Sequence, residues 1–436
     1  MKIMTDGVRI GPITLNNGIT KRNALTFFYA SFFTVGIISF MSFMQPYVLT
    51  ENLNIPADEQ GASTSILAFT YELVMLLLIA PFGALADKIG RRPIYCLGFL
   101  WVGVSLVIFP LAETMTQLVM GRMFFAVGAA AVTSMMATVL ADYPQERSRG
   151  FMVAMSGIAN GLGAVTLVIG MSQLPALFKS MGYSTLMSGR FTYAIAACLC
   201  VVTTIIVFRG LSTLKPSDGK KDKEDIRQLL KEGLQEARKN PRIAVACIEA
   251  FIARGDLMVV SVFFSLWANQ AGLAQGMDLE TAIKTAGSFL IIIQLTSLVW
   301  APIWGIILDR VDRLTAVVIA MFLATIGYLW VGFSPSPIVA AFIPAAIMLG
   351  IGEFSAILAG ITLVGQEAPK EIRGSVVGLF NFCGSFGILC ISLVGGYVYD
   401  AWRPGAPFIV VGMINAIILV IALTVRLKVG YRPPVK

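Results

Sequence analysis

The chain has 436 residues, of which 57% are apolar and 13% charged, with 33 Lys and Arg against 25 Asp and Glu. So little charge on so long a chain excludes a water-soluble globular protein. The net charge of +8 does not point to nucleic acid, because the basic residues bunch in short stretches between apolar runs instead of forming one basic region.

Twelve apolar runs of about bilayer length follow one another, at about 24–49, 60–85, 94–112, 116–142, 150–175, 190–210, 242–270, 282–308, 314–333, 337–366, 373–398 and 405–427. They are too long for barrel strands, and in lipid each must satisfy its own backbone polar groups, so all are predicted helices. The expected fold class is an all-α membrane protein with twelve transmembrane helices. Residues 1–23 form a leading tail, 24–210 and 242–427 two sets of six spans, 211–241 a linker and 428–436 a closing tail. The first run is too long for a cleavable signal and keeps its place in the count.

The second span carries Tyr71 and Glu72, then runs into Gly83-Ala84-Leu85-Ala86-Asp87-Lys88-Ile89-Gly90-Arg91-Arg92, where apolar sequence meets a short basic loop. Arg122 lies early in the fourth span, within Gly121-Arg122-Met123-Phe124-Phe125-Ala126-Val127-Gly128. That span ends at Asp142, followed by Arg147, Arg149 and Gly150. Gly157, Gly161 and Gly163 in the fifth span mark close helix packing. The linker opens with Pro216, Ser217 and Gly219 and then alternates Glu224, Asp225, Glu232 and Glu236 with Arg227, Lys231 and Arg238 around leucines. It reads as an amphipathic helix, either a solvated tether or a segment lying on the bilayer.

The seventh span holds Glu249 and then Ala253-Arg254-Gly255-Asp256. Glu249 and Asp256, seven apart, share a helix face and Arg254 points away from it. Gly255 between opposite charges suggests a local break in the helix. Further on, Gly305-Ile306-Ile307-Leu308-Asp309-Arg310-Val311-Asp312-Arg313 is a weaker copy of the first loop motif, with Gly83 to Gly305 and Asp87 to Asp309 both 222 residues apart. Arg149-Gly150 and Arg373-Gly374 are 224 apart. Two agreeing offsets make the chain a six-plus-six repeat.

Ionisable groups at bilayer depth are expensive, so Glu72, Arg122, Glu249, Arg254, Asp256 and Glu353 are the candidates for a site. Glu72 stands fifteen residues before Asp87, roughly 22 Å at helical rise, and Glu353 fourteen before Glu367. Glu72 is the expected partner of Arg122. A competing account pairs Arg254 with Glu353 or Glu72 as a lock between halves. Gln45, Tyr47, Tyr71, Asn160, Gln294, Asn381 and Asn415 are candidate lining residues, with Gln294 at the repeat position of Glu72 (72 plus 222). There is no histidine, so proton handling rests on carboxylates. Cys96, Cys198, Cys200, Cys247, Cys383 and Cys390 all fall inside spans and read as small buried side chains, with no metal or disulfide role expected.

Basic residues collect in alternate loops and both tails (Lys21, Arg22, Lys88, Arg91, Arg92, Arg147, Arg149, Arg310, Arg313, Lys370, Arg373, Arg426, Lys428, Arg432, Lys436), which places both termini in the cytoplasm. The absence of an Asn-x-Ser/Thr acceptor in any outer loop favours a bacterial inner membrane.

With Gly83, Asp87, Gly90, Arg91 and Arg92 after the second span, twelve spans and a central loop, the chain resembles the major facilitator superfamily over nearly its whole length. The resemblance implies two pseudo-symmetric six-helix bundles and a gating role for the loop, set by Gly83, Asp87, Gly90, Arg91, Arg92, Asp142 and Arg149 and, in the second copy, Gly305, Asp309 and Arg313. Plain topological anchoring by the basic residues is the alternative. In proton-coupled members an arginine followed by spaced glycines, as at Arg122, is linked to proton transfer; Ala126 departs from that pattern. The antiporter Gly-Pro pair is also missing, since Leu162 follows Gly161.

The expected function is secondary active transport of a small organic, anionic or amphipathic solute by alternating access, coupled to protons and not to ATP, since no phosphate-binding loop is present. Glu72, Asp256, Glu353 and Arg122 are the proton-coupling candidates, and Arg254, Arg122, Gln294, Tyr71, Asn381 and Glu249 the solute-binding ones. No cofactor, metal or nucleic acid is expected, and the protein is read as a monomer in the lipid bilayer. An exporter of cationic amphipathic drugs and a non-transporting solute sensor are the alternatives.

Overall fold

The structure is a computed structural model describing residues 8–145, 148–213, 226–369 and 372–431. Arg147, Lys370, Arg432, Lys436 and the linker segment 214–225 lie outside the described residues. A hairpin of β1 (Arg9–Ile10) and β2 (Ile13–Thr14) precedes α1 (Lys21–Glu51), α2 (Gln60–Ile89), α3 (Arg91–Ile108), α4 (Met115–Asp142), α5 (Arg149–Ser180) and α6 (Thr185–Gly210). The linker contributes α7 (Ile226–Lys239). Then come α8 (Pro241–Met258), α9 (Phe264–Ala274), α10 (Leu279–Arg310), α11 (Arg313–Phe333), α12 (Ile343–Glu367), α13 (Arg373–Ala401) and α14 (Ala406–Val429). Polar caps set several starts: Thr20 and Asn23 form a capping box at α1, Thr114 caps α4, Ser184 caps α6 and Asp312 caps α11.

Among the described residues, eleven helices are long and apolar enough to cross a bilayer. The expected seventh span falls short because it is divided, α8 and α9 being joined by a π turn at Val259–Phe263. The 18 residues of α8 also carry Arg242, Glu249, Arg254 and Asp256, which lower its apolarity. Counted with this divided helix, the chain has the twelve-helix membrane fold. The break expected at Gly255 is absent: α8 runs on to Met258 and the irregularity follows it. Gly255 serves packing instead, since a Cβ there would lie 2.7 Å from Ile391 Cγ1 of α13.

Two compact units result, Met1–Ile55 with Thr70–Gly219 and Pro56–Phe69 with Lys220–Lys436. In the first, α1 packs on α5, and α3 on α4 and α6; in the second, α8 packs on α13, and α11 on α12 and α14. Glycines at matching positions make these contacts. A Cβ at Gly163 would collide with the Phe32 carbonyl oxygen, and one at Gly387 with that of Phe251. Gly128 of α4 and Gly352 of α12 also approach α3 and α11 closely, a Cβ lying 2.9 Å from the Val102 nitrogen and 2.6 Å from the Ala324 Cα. Both pairs are 224 residues apart, so the duplication reaches into the helix contacts themselves. Lipid gives helices no hydrophobic reason to associate, and such close approach supplies the attraction.

Two segments behave differently from the expectation. The first turns of α2, assigned from sequence to the first bundle, group with the second unit. There Asp400 accepts the N–H groups of Gly61 (2.9 Å) and Ala62 (2.6 Å), and Gln270 donates to the Ala57 carbonyl (2.9 Å). Helix α7, expected as a solvated tether or a segment lying on the bilayer, docks on the start of α13. Ser375 donates to Glu232 at 2.8 Å, and a Cβ at Gly233 would lie 2.6 Å from the Ser375 carbonyl oxygen.

Candidate functional site: enclosed charges and loop motifs

In the first unit, Arg122 of α4 is wholly enclosed. Its Nη2 donates to Ser42 Oγ of α1 at 3.1 Å, and its guanidinium lies over the rings of Tyr71 (4.5 Å) and Phe125 (5.5 Å). Nε and Nη1 have no hydrogen-bond partner among the described residues. A desolvated guanidinium on an aromatic face recovers about 2 kcal/mol, less than the several it loses on leaving water. The site is therefore electrostatically unsaturated. Glu72, the partner expected for Arg122, is half-buried one position past Tyr71, whereas the contacts of Arg122 run to Ser42, Tyr71 and Phe125. Gln45, one turn beyond Ser42, is also enclosed and its amide has no hydrogen-bond partner among the described residues. Tyr47 is held apart from this set, its hydroxyl donating to the Thr185 carbonyl at 2.6 Å.

The second unit gathers the acids. Glu249 and Asp256 of α8 are fully enclosed, and Glu353 of α12 is 4% exposed. Neither carboxylate on α8 has a hydrogen-bond partner of ordinary geometry among the described residues. Asp256 faces Glu353 closely enough for their charges to interact, and the Tyr328 ring of α11 stands beside both. Glu249 fits only because α12 has a glycine opposite it: a Cβ on Gly360 would overlap Glu249 Oε2. Arg254 leaves this face, as its spacing implied, and lies along α13. Its Nη2 donates to Asn381 Oδ1 at 2.7 Å, its guanidinium is 5.8 Å from the Phe380 ring, and Gly384 leaves room for its Cδ.

Of the predicted site residues, Glu249, Asp256 and Glu353 thus gather where α8 meets α12, Arg254 and Asn381 meet where α8 meets α13, and Tyr71 and Arg122 meet between α2 and α4. Gln294 is half-buried on α10, and no hydrogen bond joins it to the acids among the described residues. Sequence reasoning missed Tyr328, Gly360, Gly384 and Ser42. None belongs to a repeated motif; only the pairing of helices gives them a role.

The two loop motifs are wired differently. In the first, Arg91 pairs with Asp87 at 3.1 Å and with Asp142 at the end of α4 at 2.9 Å. Gly90 has φ +99°, a conformation that favours glycine, and it turns α2 into α3. Gly83 lies in ordinary contact with Ser134, Arg92 stacks on Phe208 at 4.8 Å, and Arg149 reaches the Ala141 carbonyl at 3.5 Å. In the second motif, Arg313 pairs with Asp309 at 3.4 Å and donates to the Leu308 carbonyl, while Gly305 has open space around it among the described residues. Glu367, the last residue of α12 as Asp142 is of α4, is engaged by other groups: Asn240 donates to it at 3.2 Å and Arg242 pairs with it at 3.4 Å. Arg242 also pairs with Asp312 at 2.8 Å.

Twelve helices in two duplicated sets, with ionisable side chains enclosed among them, are the construction of a membrane transporter and not of an enzyme. The sequence profile of the Major Facilitator Superfamily matches residues 26–390 and, in a second placement, 278–436, and the chain belongs to that family. It is 28% identical over 380 residues to magnetosome protein MamZ of Paramagnetospirillum magneticum, covering 85% of this chain and 57% of MamZ. The chain therefore spans little more than half the length of that relative. It is 25% identical over 389 residues to magnetosome protein MamH of the same organism, covering 87% of each. The crystal structure of the nucleoside transporter NupG superposes with a TM-score of 0.69 over 95% of this chain and 100% of that one, at 14% identity, a likeness of fold.

Proposed function

We propose that this protein is a secondary active transporter that moves a small organic solute, anionic or amphipathic, by alternating access and draws on the proton gradient. The observation that carries this reading is the enclosure of Glu249, Asp256 and Glu353 on α8 and α12, with Arg254 of α8 turned to Asn381 of α13. An enclosed carboxylate pair without a cation between its members is a place for a proton to bind and leave. Asp256 and Glu353 fill that role, with Glu72 and Arg122 as the corresponding elements of the first unit. Arg254, steadied by Asn381, offers a fork for a carboxylate or phosphate. Arg122, Tyr71, Gln294 and Glu249 complete the solute-binding set. The first loop motif, with Asp142 and Arg149, works as a gate contact, and Gly305, Asp309 and Arg313 are its counterpart. The protein acts as a monomer in a bacterial inner membrane with both termini in the cytoplasm.

A second reading has one observation in its favour. The second unit encloses three carboxylates, Glu249, Asp256 and Glu353, which suits a cationic amphipathic solute and export. Thermal stability of the purified protein, screened against organic anions and cations at two pH values, separates the two. An anion that stabilises the wild type but not Arg254→Ala supports the first. A cation whose effect is lost in Asp256→Asn supports the second. A stabilising solute that crosses proteoliposomes with no response to an imposed pH gradient would overturn proton coupling.

A further inference from the structure

The loop that follows α4 is gripped by the leading segment of the chain. Leu15 forms a β-bridge with Pro144. The Gln145 N–H donates to the Thr14 carbonyl at 2.8 Å, and the Asn16 N–H to the Tyr143 carbonyl at 2.8 Å. Asn16 Nδ2 donates to the carbonyls of Asp142 (2.7 Å) and Pro144 (3.2 Å). Ser148 closes the far side, its Oγ accepting from the Thr14 N–H at 3.1 Å and donating to the Thr14 carbonyl at 2.9 Å. Ile13 is 2% exposed and Leu15 fully enclosed, so the segment is docked by apolar burial as well. Tyr143 ties the loop to the bundle: its ring meets Phe27 of α1 at 6.2 Å and its hydroxyl accepts the Ser212 N–H at 3.1 Å.

The second unit solves the same problem with charge. Glu367, at the end of α12, is held by Asn240 and Arg242, and Arg242 Nη2 also donates to the Gly430 carbonyl at 2.9 Å. In the first unit, chain ahead of the six spans braces the end of the fourth helix; in the second, Asn240 and the first turn of α8 do so. Only in the first do the bracing bonds run to backbone and leave the carboxylate to a loop arginine.

We propose that residues 8–16 are a strap that positions Asp142 for Arg91, with Asn16 and Ser148 as its positioning residues. Asn16 fixes the carbonyl of Asp142 itself, and the bridge at Leu15 and Pro144 fixes the chain beyond it. The carboxylate then stands 2.9 Å from Arg91, while Asn16 holds the carbonyl of the same residue. The strap's effect on opening rests on the proposed gate role of the Arg91–Asp142 contact.

The test uses the full-length protein in lipid nanodiscs with hydrogen exchange resolved by mass spectrometry. Asn16→Ala and, from the loop side, Ser148→Ala are expected to raise exchange about fivefold or more at residues 143–145 and also at 88–92, where Arg91 lies. Arg91→Ala is expected to raise exchange at 88–92 and leave 8–16 unchanged. Faster exchange confined to residues 8–16 in both strap variants would overturn the proposal, since the hairpin would then be ornamental. The gate reading is checked apart from the strap, through the rate at which a stabilising solute crosses proteoliposomes. Arg91→Ala that leaves this rate at the wild-type value refutes the gate and not the strap.

Discussion

Arg242→Ala is expected to be among the most damaging single changes in the second unit. The Arg242 side chain is wholly enclosed, with Nη1 2.8 Å from Asp312 and 3.4 Å from Glu367 and Nη2 2.9 Å from the Gly430 carbonyl. Its partners are enclosed too, Asp312 fully and Glu367 to 3% exposure. Among the described residues, alanine leaves Asp312 with Arg426 at 3.4 Å and Thr315. Breaking such a buried pair from one side costs about 3–5 kcal/mol. Arg91→Ala is the comparison, because its partners Asp87 and Asp142 are 65% and 44% exposed. Solvent screening leaves that contact about 0–1 kcal/mol. At ~2–4 °C per kcal/mol for a domain of this size, Arg242→Ala lowers the unfolding midpoint by ~6–20 °C and Arg91→Ala by under ~4 °C. Arg242→Lys keeps a charge but not the fork and falls between them. Tryptophan fluorescence during heating of the purified protein measures all three. A shift for Arg91→Ala equal to or larger than that for Arg242→Ala would refute the reasoning.

The matching glycines give a second contrast. Gly163→Ala and Gly387→Ala each push a Cβ into a facing carbonyl and should destabilise by about 1–3 kcal/mol in the same melting assay. Gly305→Ala, with open space around it, should be neutral or stabilising by up to about 1 kcal/mol. Gly360→Ala should displace the Glu249 carboxylate, and solute binding by the purified protein should fall in it as it does in Glu249→Gln. Burial, the largest cause, pushes the Tyr143 phenol up to about 12. A raised phenol contributes its stability below its ordinary value of about 10 and loses it as pH climbs through about 12. Exchange protection of the loop after α4, corrected for intrinsic rate, should therefore hold to about pH 10, decline above it in the wild type and decline less in Tyr143→Phe.

Much of this protein follows from order along the chain. Apolar runs of bilayer length can only be helices in lipid, so their number and the repeat offsets of 222 and 224 were legible without coordinates. So was the divergence of Arg254 from Glu249 and Asp256, which helical spacing alone imposes. The tertiary structure decided what depends on the neighbouring helix. It placed Glu249 against Gly360, gave Arg122 an aromatic bed and moved the irregularity of the seventh span from Gly255 to Val259–Phe263. It also laid the leading segment against the loop after α4 and set Arg242 beside Glu367. Helix formation is local and is written in runs of side chains; partner choice rests on which small residue on the next helix leaves room, and one sequence read in order carries no mark of that neighbour.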